Sequence, residues 1–315
     1  MAQQQLALSV VVTSFNQRRE LERLLPLLCA QTLPATHYEV IVVDDGSSDG
    51  TRDWLPTLPP PVRPVFGPVD RGRSRSRNEG IAAARGGIVV MLDGDHTVTP
   101  DFLALHLAAH QDRVCAIVGK SDFVDHPDFR ALNHYLNFGG AEKLPRGATL
   151  PGRYFLTRNC SVPRNVLLDL GGFDEGFTGW GGEDLDLGVR LERAHIPIYG
   201  LPAALATHHH LRPLPDLLRN LYGYGRDGIP LLLRKHPRLF VELNLDHVVS
   251  GSAGRYDSLH RAVVRLLLTA PVYAVVYAVA VLLRRHRLPR QIFDYLHLRQ
   301  YSCGYRDYLR SAATS

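Results

Sequence analysis

Three acidic clusters and one run of histidines hold the side chains of this sequence that could do chemistry. In VVMLDGDHTV (89–98) an apolar run ends on two carboxylates, Asp93 and Asp95, one residue apart. Ionised carboxylates so close repel each other, and burial raises that cost. A divalent cation relieves the conflict, and so does exposure on a solvated loop; this stretch alone leaves both open. In EVIVVDDGSSDGT (39–51) a second apolar run ends on Asp44 and Asp45. In GWGGEDLDLGVRL (179–191) Glu183 and Asp184 open a helical pattern, where the helix dipole favours carboxylates, so they also read as first-turn acids. THHH (207–210) supplies three imidazoles.

The elements that must position these groups alternate along the first two hundred residues. LALSVVVTSF (6–15), YEVIVVDDGS (38–47), GIVVMLDGD and RVCAIVGKSDF (113–123) read as strands, with a short one after the proline-rich 58–68. Helices are expected over 17–31, from a cap at Ser48 or Asp49, over 74–85, and over 99–111 with Pro100 in the first turn. Such a succession predicts an α/β fold with a Rossmann-like, mainly parallel sheet flanked by helices. Ligands of such sheets bind at the carboxyl ends of the strands, where TSFN, DDGS and DGD all fall. That convergence favours function over solvation for Asp93 and Asp95. Residues 124–160 show no clear pattern and are expected to form a mobile wall over the cleft. Order returns over 162–202, with a helix from about Glu183, and 213–237 is helical with breaks.

Composition bounds the partners. The chain has 315 residues, a net charge of +5, and arginine far outnumbers lysine. This balance suits polyanionic small ligands, anionic lipid or nucleic acid. The alternating Arg71, Arg73 and Arg75 lack the aromatic interleaving of a nucleic-acid reader, so no nucleic-acid partner is expected. Four scattered cysteines without a CxxC pair argue against a disulfide framework or structural zinc. With no basic segment ahead of an apolar core at the start, the expected location is the cytoplasm, with the inner face of the membrane as an open alternative.

Taken together, SVVVTSFNQ, EVIVVDDGSSDGT, GRSRSRNEGI, VVMLDGDHTVTPDF, RNCSVPR, GGFDEGFTGWGGEDLDLGVRL and ALATHHH, in this order over about residues 8 to 210, resemble the family 2 glycosyltransferases of the GT-A fold. The resemblance implies a metal-dependent, inverting transfer of a sugar from a UDP-sugar or dTDP-sugar. It implies that Asp95 binds Mn2+ or Mg2+ directly and that Asp93 reaches the ribose or the metal through water. His208 matches the family's metal-site histidine; a neutral imidazole suits manganese, whereas magnesium prefers oxygen. His96 is a weaker candidate. Asp45 matches the acceptor for the base imide N–H, and Asp44 a brace of the loop. Thr13, Phe15, Asn16 and Arg77 fall where donor contacts lie, with Phe15 as a stacking surface. Asp184 is implied as general base, Glu183 as a hydroxyl partner, and Trp180 as a plate for a sugar ring. A catalytically idle nucleotide-sugar-binding or membrane-docked scaffold protein is the rival from another class, and the intact acidic pairs disfavour it. The acceptor is a glycan, a lipid-linked group or a small molecule.

The implied domains are a catalytic domain over 1–212, with a nucleotide-binding half (1–112) and an acceptor-binding half (113–212), and a helical C-terminal extension over 213–315. In the extension LLLTAPVYAVVYAVAVLL (266–283) is apolar, interrupted by Pro271 and flanked by Arg261, Arg265, Arg284, Arg285, Arg287 and Arg290. Three accounts compete for it: a helix buried against the catalytic domain or the second subunit of a homodimer, a helix lying on an anionic membrane through 260–310, and a span.

Overall fold

The computed structural model describes residues 6–67, 71–137, 147–248 and 258–314; within the last stretch the side chains of Ser258, His260, Arg261 and Arg265 lie outside the description. The flanking arginines 261 and 265 and part of the 124–160 wall therefore fall outside the described residues. The chain divides into two compact units. One is drawn from residues up to Val124, the stretch ending at Thr178, and Glu183–His210. The other takes Asp125 to the end of the following helix, Gly179–Gly182 and everything from Leu211 onward.

The first unit holds strands β1 (Leu8–Ser14), β2 (Tyr38–Asp44), β3 (Val62–Phe66), β4 (Ile88–Asp93), β5 (His96–Val98), β6 (Ala116–Phe123), β7 (Asn159–Pro163) and β8 (Ile198–His208). They form one sheet in the order β3-β2-β1-β4-β7-β6-β8-β5. Its helices are α1 (Arg18–Cys29), α2 (Thr51–Trp54), α3 (Arg73–Ala83) and α4 (Phe102–Ala108), then, beyond α5 (Arg130–Asn137) of the second unit, α6 (Arg164–Asp169) and α7 (Glu183–Arg193). Strand periodicity sorts the apolar runs into two layers. Val10 and Val12 of β1 pack with Leu21, Leu24 and Leu28 of α1, while Val11 faces Ile81, Val166 and Leu187 on the other side. Burial on both faces is why these strands read as unbroken apolar runs.

The half of the sheet from β1 to β4 is parallel, as expected: β1 pairs in parallel with β2 and β4, and β2 with β3. The other half is mixed. β7 runs antiparallel to β4 and β6, and β5 antiparallel to β8, with β6 and β8 parallel. The wall expected over 124–160 carries more order than its sequence shows, because α5 lies within it and β7 begins at its end. α4 begins at Phe102, with Asp101 rather than Pro100 at its boundary. At α2 the N-cap position falls to Gly50, in a left-handed backbone, rather than to Ser48 or Asp49; Asp49, one residue earlier, accepts both the backbone N–H and the hydroxyl of Thr51.

The second unit is helical: α5, α8 (Leu214–Gly223), a π-turn at Tyr224–Gly228, α9 (Ile229–Lys235), α10 (Leu239–Glu242), α11 (Ser258–Leu267), α12 (Ala270–Leu282) and α13 (Arg290–Ala312). The 266–283 run is split between α11 and α12, since Pro271 lacks an N–H to continue a helix and fits only in a first turn. No helix among the described residues is long and apolar enough to cross a membrane.

Candidate functional site

The acidic strand ends converge. Register places Asp93 of β4 beside Thr13 of β1, which in turn lies beside Val43 of β2, next to Asp44. A two-residue turn after β4 carries Asp95, and β5 then pairs with β8 so that His96 lies directly opposite His208. The two imidazoles stack, with ring centroids 4.4 Å apart. His96 Nδ1 meets Asp95 Oδ1 at 3.0 Å, and His208 Nε2 meets Asp95 Oδ2 at 2.8 Å.

One ligand atom from each of Asp95, His96 and His208 lies within 4.8 Å of the others, a spacing that fits a single metal ion. Burial disfavours charge on Asp95, but bonds from both histidines outweigh it and hold the carboxyl well below its usual range. Burial pushes His208 down, against the pull of Asp95, which favours the neutral imidazole a metal needs. Phe123 backs the His208 ring at 4.5 Å. One carboxylate with two imidazoles is a donor set suited to manganese more than magnesium. Asp93 lies outside this group. It is 36% exposed at its side chain and faces Arg77.

Arg77 is the centre of the second constellation. Its buried guanidinium reaches Glu183 Oε1 at 3.0 Å, and Asp184 Oδ1 and Asp93 Oδ1 at 3.4 Å each. Burial works against its charge, yet Asp184, Asp93 and Glu183 together raise its pKa. α7 presents Glu183 and Asp184 from its first turn. It is docked backbone to backbone on the Gly152–Tyr154 turn, because Gly152 and Gly188 leave no room for a Cβ on either side. That contact brings Thr157 to Asp184: the threonine hydroxyl donates to Oδ1 at 2.5 Å, and its backbone N–H reaches Oδ2 at 3.3 Å. Burial, with Glu183 and Asp93 adding and Arg77 and Thr157 opposing, raises the Asp184 carboxyl to about 6.

The nucleotide side is built from loops. Asp45 accepts the backbone N–H groups of Arg71 and Gly72 on Oδ2, while its buried Oδ1 accepts no hydrogen bond among the described residues. Asp44 braces its loop by accepting the Ser47 N–H. Asn16, expected to touch the donor, instead binds its side-chain oxygen to the Ser48 N–H, from a left-handed backbone (φ 53°). It shapes the loop. Phe15 stands 43% exposed. Arg71 pairs with Glu79. His209 bonds Thr97. Trp180 belongs to the other unit, where it packs beside the cluster of Leu217, Leu221 and Phe293.

Two residues that sequence reasoning missed lie in this site. Thr157 is one. Arg158 is the other: it stands over the Phe123 ring, amid the charges of Asp93, Asp184, Asp95 and Asp122. Among the described residues its guanidinium makes no ion pair or hydrogen bond. RNCSVPR contains the arginine, but nothing in that motif shows that it faces four acids.

Comparison with known proteins agrees with this geometry. Residues 9–171 match the profile of glycosyl transferase family 2, and residues 146–212 match a profile described as the N-terminal domain of galactosyltransferase. Validoxylamine A glucosyltransferase of Streptomyces hygroscopicus is 31% identical over 75% of this chain and 62% of its own length. Pre-mycofactocin glycosyltransferase of Mycobacterium tuberculosis is 31% identical over 68% of this chain and 45% of its own. The chain thus spans less than two thirds of these relatives. Among solved structures, the mannosyltransferase PcManGT of Pyrobaculum calidifontis, in complex with GDP-Man and Mn2+, superposes with a TM-score of 0.64 at 20% identity, over 96% of this chain and 86% of that one. GalNAc-T7 with UDP, GalNAc and Mn2+ gives 0.53 at 17% identity, over 71% and 48%.

Proposed function

Since the chain belongs to glycosyl transferase family 2 and has its GT-A fold, we propose that it transfers a sugar from a UDP-sugar, or a dTDP-sugar, to an acceptor hydroxyl or other nucleophile with inversion. The observation that carries this reading is the pairing of a metal-sized Asp95–His96–His208 cluster with a part-buried carboxylate, Asp184, raised to about 6. Manganese in the solved neighbours supports the choice of ion. A divalent cation on Asp95, His96 and His208 supplies positive charge for the departing diphosphate.

The chain's own residues do the rest. Asp45 Oδ1 accepts the imide N–H of the base, and Phe15 offers a face for stacking. Adenine presents the lone pair of its N1, an acceptor, in place of that N–H and is disfavoured. Arg158 supplies an unpaired cation for phosphate oxygens. Asp184 Oδ2, less engaged than Oδ1, takes the proton from the acceptor hydroxyl as its oxygen attacks the anomeric carbon. The bond to the β-phosphate oxygen breaks, and its electron pair leaves with the nucleoside diphosphate. Glu183 holds hydroxyl groups of acceptor or donor, Arg77 fixes Glu183 and Asp184, and Asp93 addresses the ribose.

The test is a donor panel, UDP-, dTDP- and GDP-sugars with manganese, reading nucleotide release with and without chelator. Guanine also presents an imide N–H, so GDP-sugars belong in the panel. Metal-dependent release from a UDP- or dTDP-sugar is expected. Release unaffected by chelator, or release from neither a UDP- nor a dTDP-sugar, defeats the reading.

A further inference from the structure

The second unit carries an apolar face that its own core does not use. α12 packs one side into a cluster through Ala280, with Tyr277 and Val281 partly buried beside it. Its opposite side presents Val275 and Leu282, 64% and 77% exposed, seven residues apart and so on one helical stripe. α11 does the same with Leu259, Val263 and Leu266, spaced four and three, the last 65% exposed. A helix that is apolar all round and half uncovered needs a partner surface, since contiguous exposed patches of this kind are uncommon on isolated domains.

Charge decides which partner. From 258 to 293 the sequence holds six arginines and no aspartate or glutamate. Arg284, Arg285 and Arg287 are exposed and follow directly on the exposed Leu282 and Leu283. Arg285 is answered by the exposed Asp128, a pair of small energetic weight. For Arg287 the described residues offer no partner. A second copy docking here would bring the same basic flank and no acid from this segment to meet it. A leaflet containing anionic phospholipid answers both features, with hydrocarbon for the stripe and phosphate for the arginines. At thirteen residues α12 is about 20 Å long, shorter than the hydrocarbon core, so it lies on the surface and does not span.

We propose that the α11–α12 face docks the protein on an anionic membrane surface, Val275 and Leu282 entering the acyl boundary and Arg284, Arg285 and Arg287 taking the headgroup phosphates. This goes beyond the transferase reading and does not depend on it. The experiment is co-sedimentation of the full chain with vesicles of phosphatidylcholine alone, or with about a third phosphatidylglycerol. Wild type is expected to sediment with the acidic vesicles only, less so as salt rises. The R284Q/R285Q/R287Q variant should partition about a hundredfold more weakly, and V275E/L282E should not partition at all. Both variants change exposed side chains, and retained cooperative melting certifies their fold. Equal sedimentation with both vesicle types, none with either, or undiminished binding by the variants overturns the proposal. So does a dimer, without vesicle binding, that V275E/L282E dissociates, because a second copy then covers the face.

Discussion

Thr157 and Asp184 form a 2.5 Å hydrogen bond from hydroxyl to carboxylate, and the pair sits where burial would otherwise discharge the acid. The bond favours the ionised form that a base requires. As Asp184 works only when ionised, kcat/KM for transfer should rise with pH through about 6. Thr157→Val removes a bond to the charged form, so the rising limb should move to higher pH while donor affinity holds. Asp184→Asn should retain donor binding by calorimetry and lose transfer by about 10²–10⁴-fold. A pH profile indifferent to Thr157→Val removes the threonine from this role.

The Asp95–His96–His208 cluster predicts how metal affinity divides. The stacked His96 and His208 each meet one oxygen of the same carboxylate. Replacing either with alanine should therefore weaken manganese binding by at least about tenfold, read by calorimetry or by the spectrum of free manganese. Asp95→Asn should weaken it further. If His96→Ala binds manganese like wild type, the site uses His208 alone.

How much of this was legible beforehand differs by residue. β1, β2 and β4 announce themselves because strands buried on both faces must be apolar throughout, and Asp45, Asp93 and Asp95 follow them at the end where ligands bind. His96 is hidden because its partner lies on a strand more than a hundred residues away, and only antiparallel register sets them side by side. Thr157 and Arg158 are hidden because they lie in a turn before the five-residue β7, which is itself too short to show a periodicity. Asn16 carries a structural contact that its place in the sequence does not show. A left-handed backbone beside Ser48 makes it a loop brace, a geometry that the letters TSFN do not disclose.

Arg158 and Arg77 share one cleft and differ in partners, which separates their expected phenotypes. Arg77 is ion-paired to three carboxylates, two of them on buried or part-buried positions of α7. Arg77→Met strands those charges and should lower stability by about 3–5 kcal/mol, seen as a lower melting temperature.

Arg158 has no such partner, so Arg158→Met should leave melting unchanged or raise it, by relieving a desolvated cation. It should instead weaken nucleoside diphosphate binding, by about tenfold or more for a lost charge-assisted contact. Equal effects on nucleoside and nucleoside diphosphate would show that the arginine does not read phosphate.

Beneath the site a directed chain of hydrogen bonds makes the fold acid-sensitive. Asn159 Nδ2 donates to the Lys120 and Ala204 carbonyls, so its Oδ1 must accept from His106 Nε2. His106 Nδ1 then accepts the Ser161 hydroxyl, whose oxygen accepts from His110 Nε2. Both histidines are neutral in this arrangement, and burial lowers each to about 4, with Asn159 opposing at His106 and Arg113 assisting at His110. Unfolded histidines bind protons at higher pH than these do, so their contribution is intact above about 6.5 and is lost as pH falls towards 4. For the fully buried His106 the loss is about 3 kcal/mol. The melting temperature should therefore fall steeply between pH 6.5 and 4.5. His110→Gln, which keeps a donor to Ser161 but cannot titrate, should flatten that slope. An unchanged slope in the variant would locate the acid sensitivity elsewhere.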